Sequence, residues 1–242
     1  MADLSPQRPF SVGVHGIGDH ARRTVLPAIE ACKALQLAGI SSRNAEVRDA
    51  QCALWSCPGW GSLDEMLDSA DLDAVFVASP IGCHFTDGQK ILHAGHHLWS
   101  EKAFTANMAE AQTLVSLATE KDLAVCVSLP PAYHVLSRMI KELVQSGEIG
   151  TVRHMTAHFG FPHVERNHSK YNAQAGGSAL SDVGYYPVVM LSEWLDESPQ
   201  IIGATMETEA GYQIDTGGSC LLAFENGATA TAHWGYGRDY IN

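Results

Sequence analysis

The stretch Phe10–Leu35, FSVGVHGIGDHARRTVLPAIEACKAL, reads as strand, turn and helix. Phe10 to Val14 is a short β-rich run, Gly16, Gly18 and Ala21 punctuate a turn, and Val25, Leu26, Ile29 and Ala34 then recur with helical period. Gly16-Ile17-Gly18-Asp19-His20-Ala21 fits the spacing G-x-G-x-x-G/A. In that motif Gly16 allows a tight turn, Gly18 lets backbone approach a pyrophosphate, and the small Ala21 permits close strand–helix packing. The helix start offers unpaired N–H groups and a partial positive charge to phosphates. The motif alone is weak, but a strand before it and a helix after it supply the required context. Gly16, Ile17, Gly18, Asp19 and Ala21 are therefore candidate dinucleotide-binding residues.

The pattern repeats outward from there. LQLAGI ends at SSRN, and SLDEMLDSADLDAVFVASP gives a small helix and a strong apolar strand from Ala74 to Ala78. GQKILHAGHHLWSEK and NMAEAQTLVSLATEKDLAVCVS each read as helix then strand. Continuous apolar strands alternating with helices predict a parallel sheet covered on both faces. After Val127 the character changes. PAYHVLSRMIKELVQSGEIG predicts one helix with a glycine stop, and TVRHMTAHFGF an alternating strand. A glycine-rich stretch and a helix span 176–195, and three further strands follow, with Asn226-Gly227 as a hairpin signal between the last two. The expected architecture is α/β: a doubly wound Rossmann domain over 1–128, then an α+β domain over 129–242 with a mostly antiparallel open sheet.

Composition narrows the function. Of 242 residues 45% are hydrophobic, and Lys+Arg 15 against Asp+Glu 27 leave a formal net charge of −12. A nucleic-acid partner needs a dense cationic surface, so none is expected. No apolar run approaches the ~20 residues that span a bilayer, and MADLSPQRPF lacks a secretion signal's apolar core. The six cysteines include no Cys-x-x-Cys pair, and Cys32, Cys83 and Cys126 read as reduced core residues of a cytoplasmic protein. His93, His96 and His97 lie in a turn without a carboxylate at ligand spacing. His154 and His158 share a strand face, so no metal site is expected.

Two further constellations bear on chemistry. An NAD site usually carries a carboxylate about twenty residues past the glycines, to hold ribose hydroxyls. Here ISSRN supplies Ser42 and Arg43, with no acid before Glu46. A guanidinium suits a 2′-phosphate, so NADP is the expected cofactor, with NAD as the alternative. In SEKAF, Lys102 stands where an apolar strand ends; in GGSALSDVGYYPVVM, Asp182 and Tyr186 are four apart and would share a helix face. A lysine, a carboxylate and a phenol together could handle a proton during hydride transfer.

The ordered motifs VGVHGIGDHA, DAVFVASPIGCHF, HAGHHLWSEKAF, SGEIGTVRH and GGSALSDVGYYP resemble the glucose–fructose oxidoreductase / inositol dehydrogenase (Gfo/Idh/MocA-type) family, from about Ser11 to the C-terminus. The resemblance implies a Rossmann domain followed by an open-sheet domain. It also implies hydride transfer between NAD(P) and a carbinol carbon of a sugar, polyol or nucleotide-sugar-like substrate. It puts Lys102 beside the nicotinamide and the reacting oxygen, with Asp182 and Tyr186 as catalytic partners, Tyr186 being the general acid/base candidate. Ser79, Pro80, His84 and Glu101 fall at cofactor-binding positions. Three residues depart from the pattern: Ala103 replaces the proline of Glu-Lys-Pro, Ile81 an asparagine, and Ser178 a glycine. The chain also ends at HWGYGRDYIN, where members usually continue, so the C-terminal part of the fold is expected to be missing and the sheet to expose an edge and apolar surface. Association of copies through that sheet is implied too. Two other functions remain open within the resemblance: a non-catalytic cofactor-binding regulator, and a glycosidase whose cofactor cycles transiently.

Overall fold

The computed structural model describes residues 8–240. The chain divides at Ser128/Leu129 into two compact units, each with its own sheet.

In the first unit, β1 (Phe10–His15), β2 (Leu35–Ser41), β3 (Gly59–Trp60), β4 (Ala74–Val77), β5 (His97–Ser100) and β6 (Val125–Val127) form one sheet in the order β3-β2-β1-β4-β5-β6. All pairings are parallel. The order reverses between β1 and β4, and in such sheets ligands bind outside the carboxyl ends of the strands at that switch. Helices α1 (Leu26–Ala31), α2 (Ala45–Trp55), α3 (Leu63–Ser69), α4 (Ile81–His93) and α5 (Met108–Glu120) make the connections. Asn44, Ser62 and Asn107 start α2, α3 and α5, each side chain accepting from the N–H three residues on. Two cores result: Val12, Val14, Leu26, Ile29, Ile40 and Phe76 form one, and Met66, Val75, Ile91, Leu92, Leu98 and Leu114 anchor the other. Truncating any of these leucines to alanine costs about 2–5 kcal/mol.

The second unit holds α6 (Pro130–Tyr133), α7 (Val135–Ser146), β7 (His154–Phe161), α8 (Tyr185–Leu195), β8 (Gln200–Glu207), β9 (Gly217–Ala223) and β10 (Thr229–Tyr236). Its sheet runs β7-β10-β9-β8, parallel between β7 and β10 and antiparallel elsewhere. Gly227 (φ +85°) turns the β9–β10 connection where Asn226-Gly227 signals it, and Asn226 Oδ1 accepts from the Ala228 N–H. Ala230, Ala232, Trp234 and Tyr236 face the core with Leu191 and Leu222, while β8 is exposed along its whole length.

Two expectations are corrected. Residues 131–146 do not form one helix. His134 is extended (φ −69°, ψ 142°) and its Nδ1 accepts from the Leu136 N–H, so it ends α6 and caps α7. Nor are Cys32 and Cys126 core residues, for both are exposed and Cys83 is half-buried. Cys32 lies just past α1, and Cys126 lies on the edge strand β6.

Candidate active site

In the first unit the glycine turn separates two physical roles. Gly16 has φ +89°, and a Cβ there would stand 2.6 Å from Ser79 N and 2.7 Å from the Ala78 carbonyl carbon. The neighbouring strand end therefore demands glycine. Around Gly18, by contrast, a Cβ would meet nothing within 4 Å. That open backbone, at the sheet's switch point, fits a pyrophosphate. Asp19 pairs with Arg22, Ile17 packs against the β1 core, and Ala21 is buried under the helix. The helix opens with a widened turn, Ala21–Val25, in which Leu26 N–H donates to Ala21 O. Pro27 follows in the next turn; lacking an N–H, it cannot continue the ordinary ladder there.

The strand ends around this turn are tied side chain to side chain. His15 Nδ1 lies 2.7 Å from Ser41 Oγ, and its Nε2 3.5 Å from Asp87 Oδ2. Ser79 Oγ donates to the same Asp87 oxygen at 2.7 Å. Burial works against the Asp87 charge, yet the hydrogen bonds from His15 and Ser79 and the nearby His15 and His84 rings outweigh it, holding the carboxyl below its ordinary value. Past β2, Ser42 Oγ accepts from the Asn44 N–H and Arg43 is exposed; no acid precedes Glu46. This donor set suits a phosphate better than a ribose diol.

At the ends of β4 and β5, Pro80 is exposed at the start of α4, and His84 is buried with both ring nitrogens engaged. Its Nε2 lies 2.8 Å from Ser79 O and its Nδ1 2.9 Å from Ala103 O. His84 thus braces the residue after Lys102 against the β4 end. Glu101 Oε1 lies 3.2 Å from His20 Nε2, and Glu101 Oε2 accepts from the Lys102 N–H. Lys102 itself is half-buried.

In the second unit, Asp182 sits in another widened turn, Leu180–Gly184, and Tyr186 in the first turn of α8, with Pro187 next. Widening the turn breaks the strict four-residue repeat between them. Asp182 Oδ2 takes Lys170 Nζ at 2.6 Å and the Tyr236 hydroxyl at 3.1 Å. The Tyr186 ring meets Phe159 and Tyr185 edge-on and lines an apolar groove of about 620 Å³ with Pro131, Met190 and Trp194. Burial, and then the Asp182 carboxylate, push the Tyr236 phenol well above its ordinary value. Reading the sequence missed Lys170 and Tyr236. The signal was faint: Lys170 is the only lysine after Lys141, and Tyr236 continues the inward alternation of its strand. In the loop after β7, His163 Nδ1 lies 3.0 Å from the Tyr171 hydroxyl and its Nε2 3.0 Å from Glu209 Oε2, while Arg166 covers the Tyr212 ring. Among the described residues, no group of three or more His, Cys, Asp or Glu side chains could hold a metal ion.

Residues 10–129 match the model of the oxidoreductase family with an NAD-binding Rossmann fold, and residues 137–240 match the GFO/IDH/MocA C-terminal domain. The chain belongs to the Gfo/Idh/MocA oxidoreductase family. This member is similar to dTDP-3,4-didehydro-2,6-dideoxy-alpha-D-glucose 3-reductases from Streptomyces violaceoruber (30% identity; 96% of this chain, 68% of the relative) and Saccharopolyspora spinosa (32%; 96% and 69%). Among solved structures it resembles a 3-ketoreductase from Actinomadura kijaniata bound to NADP and TDP-benzene, with TM-score 0.92 and 29% identity over 97% of this chain and 72% of that one. That ketoreductase has also been solved with a lysine changed to alanine or glutamate and with a tyrosine changed to phenylalanine. The Rossmann architecture, the family and an NADP-type cofactor agree with the expectations from sequence. Among the described residues, no helix of this member is long and apolar enough to cross a membrane.

Proposed function

We propose that this Gfo/Idh/MocA member is an NADP-dependent oxidoreductase that interconverts a ketone and an alcohol on a nucleotide-linked sugar. The observation that carries this is its similarity, along 96% of its length, to the dTDP-sugar 3-reductases. Gly16, Ile17, Gly18, Asp19 and Ala21 would hold the pyrophosphate, and Ser42 and Arg43 the 2′-phosphate. Ser79, Pro80, His84 and Glu101 would frame the nicotinamide side. NADPH held there would supply the hydride to the carbonyl carbon. Tyr186 gives its hydroxyl proton to the carbonyl oxygen, which completes the alcohol. Lys102, as a cation, would steady the oxygen as negative charge develops. Asp182 accepts a hydrogen bond from a sugar hydroxyl and so sets which carbon is presented.

NADPH oxidation would be followed with dTDP-3,4-didehydro-2,6-dideoxy-D-glucose, and NADP⁺ reduction with D-xylose as a free-sugar comparison. K102M and Y186F should each lower kcat by about 10²–10⁴-fold while NADPH still binds. R43A should weaken NADPH about tenfold and leave NADH unchanged. Undiminished turnover in K102M or Y186F rejects the assigned roles. NADPH binding by the unaltered protein without turnover of any sugar favours a regulator instead.

We also infer that copies associate through the four-stranded sheet, because β8 exposes Ile201 (68%), Ile202 (55%) and Met206 (51%). Light scattering on an I201K/I202K variant tests this; an unchanged mass would reject it.

A further inference from the structure

The loop between β7 and α8 carries Lys170 onto Asp182, and the chain spends several features on holding it there. Lys170 lies in a short 3₁₀ turn, Ser169–Tyr171, begun by His168, whose Nδ1 accepts from the Lys170 N–H. Its ammonium also covers the Phe161 ring, 4.6 Å from the centroid, so Phe161 and Asp182 fix the head group from two sides. The backbone behind it is fixed by a glycine. A Cβ on Gly177 would stand 2.3 Å from Lys170 O and 2.8 Å from its carbonyl carbon, and Gly177 N–H donates to Asn172 O. Gly177 belongs to the glycine-rich run before Asp182, so the run brings the loop down on the very residue that bonds the aspartate.

The bonding around Asp182 is specific. Oδ2 receives Lys170 and Tyr236 together. Tyr236 also faces Ser178 O at 3.2 Å, and having one proton it donates to only one acceptor at a time. Lys170 is therefore the constant partner. The titratable groups around this carboxylate include Lys170 and Tyr171 on the loop, Tyr236 on β10, and Asp215 near the Tyr236 phenol. Lys170 brings its ammonium to 2.6 Å from Asp182 Oδ2. A half-buried carboxylate without its cation would lose charge, aim or both.

We propose that Lys170 is a positioning residue for the sugar: it keeps the Asp182 carboxylate ionised and aimed, and Gly177 holds Lys170 in place. This rests on the hydroxyl-binding role given to Asp182 under the proposed function. The test uses the full chain with K170M, K170R and G177A. In K170M the KM for dTDP-3,4-didehydro-2,6-dideoxy-D-glucose should rise about tenfold or more, with a smaller fall in kcat and NADPH affinity unchanged. K170R should recover to within about threefold of the starting protein, because the charge is restored. G177A should behave like K170M although the ammonium is still present. Independently of turnover, the Asp182 carboxyl ¹³C resonance, assigned with D182N, should titrate at higher pH in K170M. An unmoved titration overturns the proposal even where no sugar is turned over. So does a moved titration with unaltered KM, or K170R as impaired as K170M. Failure of the unaltered protein to turn over any sugar, with the titration moved as expected, instead removes the proposed function and leaves the Lys170–Asp182 pairing standing.

Discussion

At the start of the helix after β1, Gly18 faces open space, whereas at the start of α8 Gly184 would put a Cβ 2.8 Å from the Trp234 ring. The two helix starts are otherwise alike. Each opens with a widened turn, Ala21–Val25 or Leu180–Gly184, and each has a proline, Pro27 or Pro187, soon after. They differ in what fills the room the glycines leave. At Gly18 no atom of the chain lies within 4 Å of that room. In the second unit the chain fills it: Trp234 lies against Gly184 and Gly218, and Lys170 against Gly177. Two polar side chains differ likewise. Arg43 stays exposed, while Asp182 is paired with Lys170 and Tyr236. A glycine facing open space and a glycine kept for packing look identical in sequence, and only the surrounding atoms distinguish them.

Substitutions at these glycines break or sharpen the contrast. The largest effect is expected from G16A, which adds a Cβ against the Ala78–Ser79 backbone at a left-handed φ. It should destabilise the protein by about 3 kcal/mol or more and abolish NADPH binding, read by denaturant unfolding and cofactor fluorescence. G184A should cost about 2 kcal/mol through the Trp234 clash, with NADPH affinity preserved. An unfolding midpoint equal to the starting protein's would refute the filled-glycine account. G18A is the converse: stability should stay within about 0.5 kcal/mol while NADPH affinity falls about tenfold by titration. If G18A binds NADPH normally, the open space there is not a cofactor cradle.

The smallest effect concerns Asp87 at the strand ends of the first unit. Its folded carboxyl titrates below the ordinary 3.8, so its stabilisation is complete above that value and is lost as pH falls through the folded one. D87N should therefore be less stable by about 1 kcal/mol at pH 7, the deficit shrinking once pH drops below 3.8. A deficit independent of pH would mean that the carboxylate charge plays no part.

Much of the first unit was legible because its signals are local. Strand, glycine turn and helix follow one another within Phe10–Ala31, and the apolar run at 74–78, ended by Pro80, reads as a buried strand. The acid-free segment that led to the NADP expectation is local too, since Ser42 and Arg43 lie on the chain immediately after β2. His84 was placed near the cofactor by its motif, but its attachment to Ser79 O and Ala103 O depends on two other segments arriving beside it. The break at His134 was missed because the apolar spacing continues across it, and the capping histidine outweighs the periodicity.

By itself, then, the sequence determined the alternation of strands and helices in the first unit, the glycine turn at the sheet's switch point, the acid-free loop after β2 and the family. Each of these depends on residues within a few positions of one another, where sterics and hydrogen bonding act without help from the rest of the chain. The tertiary structure alone decided that Asp182 meets Lys170 and Tyr236, that His15 joins Ser41 to Asp87, and that Gly177 and Gly184 are filled. Those pairs lie 7 to 72 residues apart along the chain. Loop closure and core packing bring them together, and no local propensity encodes a partner that far away.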